Sequence, residues 1–536
     1  MKKIASGIIS LMIFAEFSCA GSPESPVIID AGQQGCVAEN EICGDGVDQD
    51  CNGSDLLCDN PDKDRDGFSY NDCDEGNRRV YPGVTVSCDT ACGKGAQVCQ
   101  EDGQFSACSC AVVCEAKSGA KCYYVSRLSG ADNNSGAYNA PWKSLKNFIS
   151  YESEAAKPST WVNLQPGDVV YLLSGEYGLN EAVLNLSRQQ GTTERPIIVK
   201  AYPAHRPIIG QNGASDNQPK YGANLIQSSN IVLDGLEFVY SRDFAVYVAE
   251  SSNIEIRNCL LHDTWGNSAD NLAGVHVVDS SSIRVHHNII YDNYDRDKKW
   301  ASGSGVILFG GGANRVDHNV IFMSARVPSD FETTGILYKH SASGGDVGFE
   351  ADHNIIRNAR LTSIGTGSVN SRVHHNLIID SAMLESADFG GYTLTQNISF
   401  TNNTIINGLA LNYRPTSEYG SFGLLTFGEN IVVDNSAYSG ERGLVVISEY
   451  GDETLYQAIM HNNGRLDFKD NCYYNPNYSV KIRAFAGNPA GTGDVYSLSA
   501  WQDAGYDSGS QEIDPQLNEF YRPTNNACSD KGWLAM

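Results

Sequence analysis

SSNIEIRNCLL (251–261), SSSIRVHHNII (280–290), NRVDHNVI (314–321), FEADHNII (349–356), SRVHHNLII (371–379), ISFTNNTII (398–406) and LLTFGENIVV (424–433) are copies of one pattern. Each is an alternating apolar run, an Asn, and a second short apolar run. The recurring asparagines are Asn258, Asn288, Asn319, Asn354, Asn376, Asn403 and Asn430, and the tightest interval, Asn354 to Asn376, is 22 residues. A fixed period near this length is the mark of a solenoid. Ile254 and Ile256, or Ile283 and Val285, point one way and the polar residues between them the other, which is strand periodicity. A strand with one apolar face must bury it, so each coil stacks on the next at ~4.8 Å. Asn at the bend accepts a left-handed backbone and can bond its neighbour in the adjacent coil. About ten coils predict a rod of roughly 50 Å. The His residues beside these bends (His287, His318, His353, His375) read as stacked turn residues.

Outward from the repeat, YYVSRLSGADNNSGAYNAPWKSLKNFISYE opens the body at Tyr123. Asn139 as N-cap, Pro141 in the first turn and Leu145, Phe148 and Ile149 on one face predict a short amphipathic helix, a cap for the first coil. The turn at Gln165 to Asp168 and the strand VVYLL (169–173) follow. The run from Tyr123 to Tyr177 resembles the opening of right-handed parallel β-helix proteins, polysaccharide lyases among them. The segment from YNPNY (474–478) through Trp501 and Asp514 to the end resembles their terminal segment. The resemblance implies an all-β, right-handed parallel β-helix over 123–536.

At the other end, MKKIASGIISLMIFAEFSCAG has two lysines, an apolar run and small residues, the form of a secretory signal over 1–20. Ser18-Cys19-Ala20 before Gly21 fits cleavage after Ala20. Phe17-Ser18-Cys19 also partly resembles a lipobox, in which an acylated Cys19 would attach the protein to the outer membrane; Glu16 stands where lipoboxes carry Leu. Either way the sequence predicts a secreted or cell-surface protein. Residues 21–35 read as a linker. Thirteen of the 16 cysteines lie at or before Cys122, and export makes disulfides their default. Cys259, inside a coil, reads as a small buried apolar residue.

Residues 36–83 are dense in carboxylates. Asp62, Asp64 and Asp66 alternate ahead of Gly67, so the backbone can wrap and converge their oxygens on a hard cation such as calcium. Phe68 would add a carbonyl, and Asp72 or Asp74 the closing carboxylate. Cys73 occupies the twelfth loop position, where a helical EF-hand carries Glu, so a disulfide-tied loop fits better. Upstream, CGDGVDQDC (43–51) places Asp45, Asp48 and Asp50 in a second acidic loop. With YPG at 81–83, these pieces resemble the Asp/Cys-rich metal-binding motif of MopE-type bacterial surface proteins, although the order of the pieces differs here. A calcium-binding module is what that resemblance implies. Residues 84–122, Cys-rich and poor in apolar side chains, read as a disulfide-stapled spacer.

The net charge of −26 opposes nucleic-acid binding, which needs a positive footprint. An anionic polysaccharide partner would need bridging cations or a local basic patch. Intervals longer than 22 residues place loops between coils, where chemistry is expected. Three successive loops interleave aromatic and charged residues: Trp265 with Asp270; Tyr294 with Asp295, Lys298, Lys299 and Trp300; and Lys339 with His340. Aromatic faces stack on sugar rings, and a row of coils offers a long groove. Lyases of uronic acid polymers take the C5 proton and expel the C4 oxygen, which requires a cation at the carboxylate and a Lys or Arg base. On that chemistry Lys339 is the candidate base, Asp270, Asp292 and Glu332 handle calcium or the carboxylate, and Arg326 or His340 contacts substrate. The Asp-Asp-Gly-x-Asp calcium cluster of family-nine pectate lyases has no counterpart here. The expectation is an exported β-helix protein that binds polysaccharide and cleaves it with calcium. The alternatives are a non-catalytic glycan binder and a surface protein whose rod is a spacer behind its metal module.

Overall fold

A computed structural model describes the chain from residue 84 onward except for 91–92, 101, 109–113, 179–183, 204, 211–218, 267–270, 301–302, 340–346, 368, 388–396, 415–423, 436–443, 448–465, 485–493, 519 and 534–536, and before residue 84 it describes Cys73, Asp74, Val80 and Pro82. Three 12-stranded sheets run its length. Sheet A begins at Cys122–Val125 and ends at Leu466–Lys469; sheet B runs from Gly175–Tyr177 to Gln511–Glu512; sheet C from Leu184–Asn185 to Asp494–Ser497. The chain visits A, B and C in turn and pairs each strand in parallel with its counterpart one coil away, so the architecture is a parallel β-helix. The final pair of sheet C, Lys481–Ala484 with Asp494–Ser497, is antiparallel and closes that end.

The alternation seen in the repeats is the inside–outside pattern. Ile256, Val285, Val316, Ala351, Val373, Phe400 and Phe427 are successive partners across sheet A and all are fully buried. Leu261, Ile290, Ile321, Ile356 and Ile378 do the same in sheet B. Val246, Val275, Val306, Ile336 and Ile364 line sheet C. One apolar core therefore fills the coil from end to end.

The recurring Asn turns out to do one job, not two. Asn288, Asn319, Asn354, Asn376, Asn403 and Asn430 are buried, and each donates its side-chain amide to the Oδ1 of the next at 3.0–3.1 Å, ending on Asn471. The left-handed backbone belongs to the residue before each: His287, His318, His353, His375, Asn402, Glu429 and Asp470, with φ of 52–57°. Asn258 is one step out of register with its namesakes. It takes the left-handed place (φ 54°), and Cys259, free and buried, takes the ladder place, its amide donating to Asn288 Oδ1 at 2.9 Å. The four histidines do stack as the bends predict, with centroids 4.9, 4.9 and 5.2 Å apart.

The ends differ from expectation in detail. The helix expected from Asn139 is a single 3₁₀ turn, Leu145–Asn147, capped by Ser144. Asn139 and Ala140 instead belong to a tight turn, and Asp132 accepts from the amides of Lys143 and Ser144, fixing the chain before a longer helix can start. Trp142, Leu145, Phe148 and Ile149 still pack into the core. At the far end the helix Leu498–Asp503 buries Trp501, and Ser510 Oγ accepts from the Asn471 amide at 2.7 Å to finish the ladder. Cys472 and Cys528, which the sequence left unassigned, form a disulfide that ties the tail to sheet B. Ahead of the coils, the hairpin Thr85–Thr90 with Gly93–Val98 is stapled by Cys73–Cys99 and Cys88–Cys108, and Cys114, further along the chain, is bonded to Cys122 at the start of the first strand of sheet A. Among the described residues no helix is long and apolar enough to cross a membrane.

Candidate functional site

Two outer surfaces gather the residues expected to carry chemistry. The first lies where sheet B turns toward sheet C. His262 is held between two carboxylates, Nε2 at 3.2 Å from Glu237 and Nδ1 at 2.8 Å from Asp263. Arg326 reaches Asp263 at 3.2 Å and Asp292 at 2.6 Å, while Arg206 pairs with Glu237. Burial opposes the charge on Glu237, but bonds from His262 and Arg206 hold its carboxyl at about 2. Burial likewise disfavours the His262 cation, yet Asp263 and Glu237 raise its pKa above the ordinary value. Tyr291 stacks on His262 at 4.7 Å, and burial pushes its hydroxyl up to about 12.

This surface joins two residues singled out in the sequence, Arg326 and Asp292, and gives them a structural task. Asp292 is fully buried, and its oxygens accept from the Ser324 amide and hydroxyl, both at 2.6 Å, as well as from Arg326. The pair clamps the loop at 324–331 to the coil. Tyr294 is 8 % exposed, packed with Met323, Val327 and Phe331 beneath that loop, and so presents no open face for a sugar. Its backbone pairs with that of Trp265 in a two-stranded ladder. Glu332 donates its amide to Lys299 O, Lys299 itself pairs with Asp330, and Lys298 is half-buried. Trp300 is 75 % exposed.

The second surface is the outer face of sheet C. Tyr221, Phe244, Tyr247, His276 and Phe309 form a continuous aromatic run: Tyr221–Tyr247 at 4.7 Å, Phe244–Tyr247 at 5.5 Å, Phe244–His276 at 4.1 Å and His276–Phe309 at 5.4 Å. Lys220 Nζ caps one end, 5.3 Å from the Tyr221 ring, and Lys339 Nζ the other, 5.0 Å from Phe309. Lys339 also donates to Asn271 Oδ1 at 2.6 Å, and the Asn271 carbonyl lies 3.3 Å from His276 Nδ1. The candidate base is thus held by Asn271, the residue that follows Asp270 in the sequence. Burial first, and then the nearby Lys339 and Lys220, lower His276 to about 4 despite the Asn271 bond, so its imidazole is neutral at ordinary pH. Lys339 ends the strand Thr333–Lys339, whereas Arg326 and Asp292 precede sheet C in their coils. Six residue steps of strand, ~20 Å, separate its two ends, so these candidates belong to different surfaces.

The aromatic run lies on strands, whereas the sequence pattern points to stacking residues in loops. Its signal is present in the strands: Phe244 and Tyr247 of FAVYVA, Tyr221 of YGANLI and Phe309 of GSGVILF are large aromatic side chains outside the inward apolar set. Asp270 and His340 lie outside the described residues, as do Asp45, Asp48, Asp50, Asp62, Asp64, Asp66, Phe68 and Asp72 of the acidic loops, and Cys19. Asp74 is exposed beside the Cys73–Cys99 disulfide.

A family model described as a right handed beta helix region matches residues 198–346. No curated protein matches the chain. Among solved structures it is similar to pectate lyase Pel9A, at 17 % identity and a TM-score of 0.46, covering 67 % of this chain and 81 % of that one. It is similar also to XylC in complex with xylose (10 %, 0.44, covering 74 % and 87 %) and to a rhamnogalacturonan lyase (16 %, 0.37, covering 77 % and 96 %).

Proposed function

We propose that the protein is exported and binds a polysaccharide along the outer face of sheet C. The observation that carries this reading is the aromatic run from Tyr221 to Phe309. With Lys339 it spans five consecutive strands, roughly 20 Å at the sheet spacing, enough for several sugar rings in a row. Tyr221, Tyr247 and Phe309 are each half-buried, and the aromatic surface left outside their ring–ring contacts is what would pack on the apolar faces of pyranose rings. Lys220 and Lys339 at the ends supply the local positive charge that an acidic polymer would need against a net charge of −26.

Cleavage by β-elimination is a second reading, favoured by the place of Lys339 at the end of the run and by its bond to Asn271, the residue after Asp270 in the sequence. In it Lys339 takes the C5 proton, and calcium at Asp270 neutralises the uronate. Both readings are tested by binding and turnover on a panel of neutral and uronate polysaccharides with calcium. Tyr247→Ala with Phe309→Ala is expected to weaken binding roughly tenfold or more, at about 1 kcal/mol or more per lost stacking partner. Unchanged affinity would remove the face from consideration. Unsaturated product seen in the ultraviolet and abolished in Lys339→Ala supports elimination; binding without product leaves a glycan binder.

Ahead of the β-helix in the sequence, the acidic loops are read as a calcium module, with Asp62, Asp64, Asp66, the Phe68 carbonyl and Asp72 or Asp74 as ligands, Asp45, Asp48 and Asp50 in a second loop, and Cys19 as a point of membrane attachment. Calcium calorimetry on the full chain is expected to show a site that is lost when Asp62, Asp64 and Asp66 are changed to Asn. The same heat from both proteins would refute it.

A further inference from the structure

The outer face of sheet A carries two copies of one arrangement that differ in the residue opposite the first histidine and in the arginine that holds the glutamate. Each begins in a strand with Arg-Val-His-His-Asn, at 284–288 and 372–376. Its first His faces a Glu of the preceding coil: His286 Nε2 lies 2.7 Å from Glu255 Oε1, and His374 Nε2 lies 2.9 Å from Glu350 Oε1. On the other side of each ring Nδ1 meets the Nδ1 of the next histidine, at 2.7 Å for His286 and His287 and 2.9 Å for His374 and His375. An arginine bonds each Glu at 2.9 Å, Arg257 in the first copy and Arg372 in the second. The difference is the direct cross-strand partner of the His. Register puts Arg257 opposite His286 but Asp352 opposite His374. Each Glu thus has an arginine, but the preceding strand sets a guanidinium opposite His286 and a second carboxylate opposite His374.

We propose that Glu350, Asp352 and His374 form a binding site for a divalent transition metal ion of the zinc class. Their donor atoms lie within 4.8 Å of one another. One imidazole and two carboxylates match the mixed nitrogen and oxygen donors zinc accepts and leave a fourth position for water or a ligand. Zinc–ligand distances of ~2.1 Å require donor atoms about 3.4 Å apart, so the set must close by roughly an ångström. Glu350 and His374, at 24 % and 21 % exposure, have the freedom to do so around the buried Asp352. The ring of His374 is already oriented from behind by His375, as metal-bound imidazoles are by an outer hydrogen bond. Arg315 holds Asp352 through both oxygens, at 2.8 and 2.6 Å, and Oδ2 also meets His353 Nδ1 at 2.8 Å, so it is the second lone pair of Oδ1 that is offered to an ion.

A different set shares the same carboxylate: His318, Asp352 and His353. It is the weaker one. These two rings stack face to face at 4.9 Å, and their Nδ1 atoms already bond Asp317 and Asp352.

The site lies on sheet A and stands or falls apart from the glycan face on sheet C. It is tested by zinc titration calorimetry on the full chain, stripped of metal and then supplied with excess calcium to fill oxygen-only sites. The expected result is a zinc site lost in His374→Ala, weakened roughly tenfold or more in Glu350→Gln, and kept in His286→Ala, the copy with Arg257. Circular dichroism and melting of the metal-free variants check the fold, and Glu350→Gln, which keeps side-chain size, carries the test should His374→Ala not fold. Zinc binding that is absent from the native chain, unchanged in both His374→Ala and Glu350→Gln, or lost equally in His286→Ala overturns the proposal.

Discussion

Asn354→Ala is expected to lower the stability of the protein by about 3–5 kcal/mol, read as a fall in the urea midpoint at unchanged slope. The side chain is fully buried and sits at the middle of the ladder. Its Oδ1 accepts from the Asn319 amide at 3.1 Å and from Asn319 Nδ2 at 3.0 Å. Its own Nδ2 donates to Val316 O, Asp352 O and Asn376 Oδ1. Alanine removes all of these at once and strands the Asn319 N–H in a place water does not reach. Each orphaned buried group costs about 1–3 kcal/mol, and the vacated space adds to it. Asn402→Ala makes the contrast, since Asn402 occupies only the left-handed place (φ 53°) and alanine there costs about 1–2 kcal/mol. Equal losses from the two variants would show that the backbone conformation, not the hydrogen-bonded ladder, is what the repeated Asn secures.

That contrast also marks how far the sequence could be read. Strand alternation, the repeat and the stacked histidines follow from local pattern, because an inward position is apolar in every coil and a bend recurs at the same place. Which of two adjacent residues takes the left-handed backbone is decided by the coil above, where Asn258 and Cys259 stand one step away from Asn288 and its successors. The candidate site was legible only in pieces for the same reason. Asp292 and Tyr294 look like loop residues along the chain, but the 324–331 segment folds over them from the next coil and buries both. Lys339 is legible through its charge. The aromatic run it borders is assembled from four other strands, each contributing one or two rings, and no single segment announces it. Cys472 and Cys528, 56 residues apart, meet only because the tail returns to sheet B.

Acidification from pH 7.5 to 4.5 is expected to destabilise the protein before its depressed carboxylates begin to protonate. His287 and His276 are responsible. Burial, then the neighbouring His286 and His318, brings His287 from 6.5 to about 3, while burial brings His276 to about 4. A histidine whose folded pKa is lowered binds its proton more readily in the unfolded chain. Stability therefore falls as pH drops below 6.5, and goes on falling until the folded value is reached. At pH 4.5 each of the two is neutral in the folded state and protonated in the unfolded one, a difference of about 2–3 kcal/mol apiece. His262 works the other way, because its raised pKa adds stability at low pH that is lost as pH rises through it. One such group does not offset two. Below pH 4.5 Glu237 and Glu255, both near 2 in the folded protein, steepen the fall, since depressed carboxylates lose their contribution as they protonate. The variant that isolates the histidine stack is His287→Asn, because Asn already occupies the equivalent left-handed place at Asn402. Melting temperatures between pH 7.5 and 4.5 are expected to fall less steeply in His287→Asn than in the native chain. A native profile that is flat over this range, or an identical slope in the variant, would show that the stacked imidazoles carry no proton-linked cost.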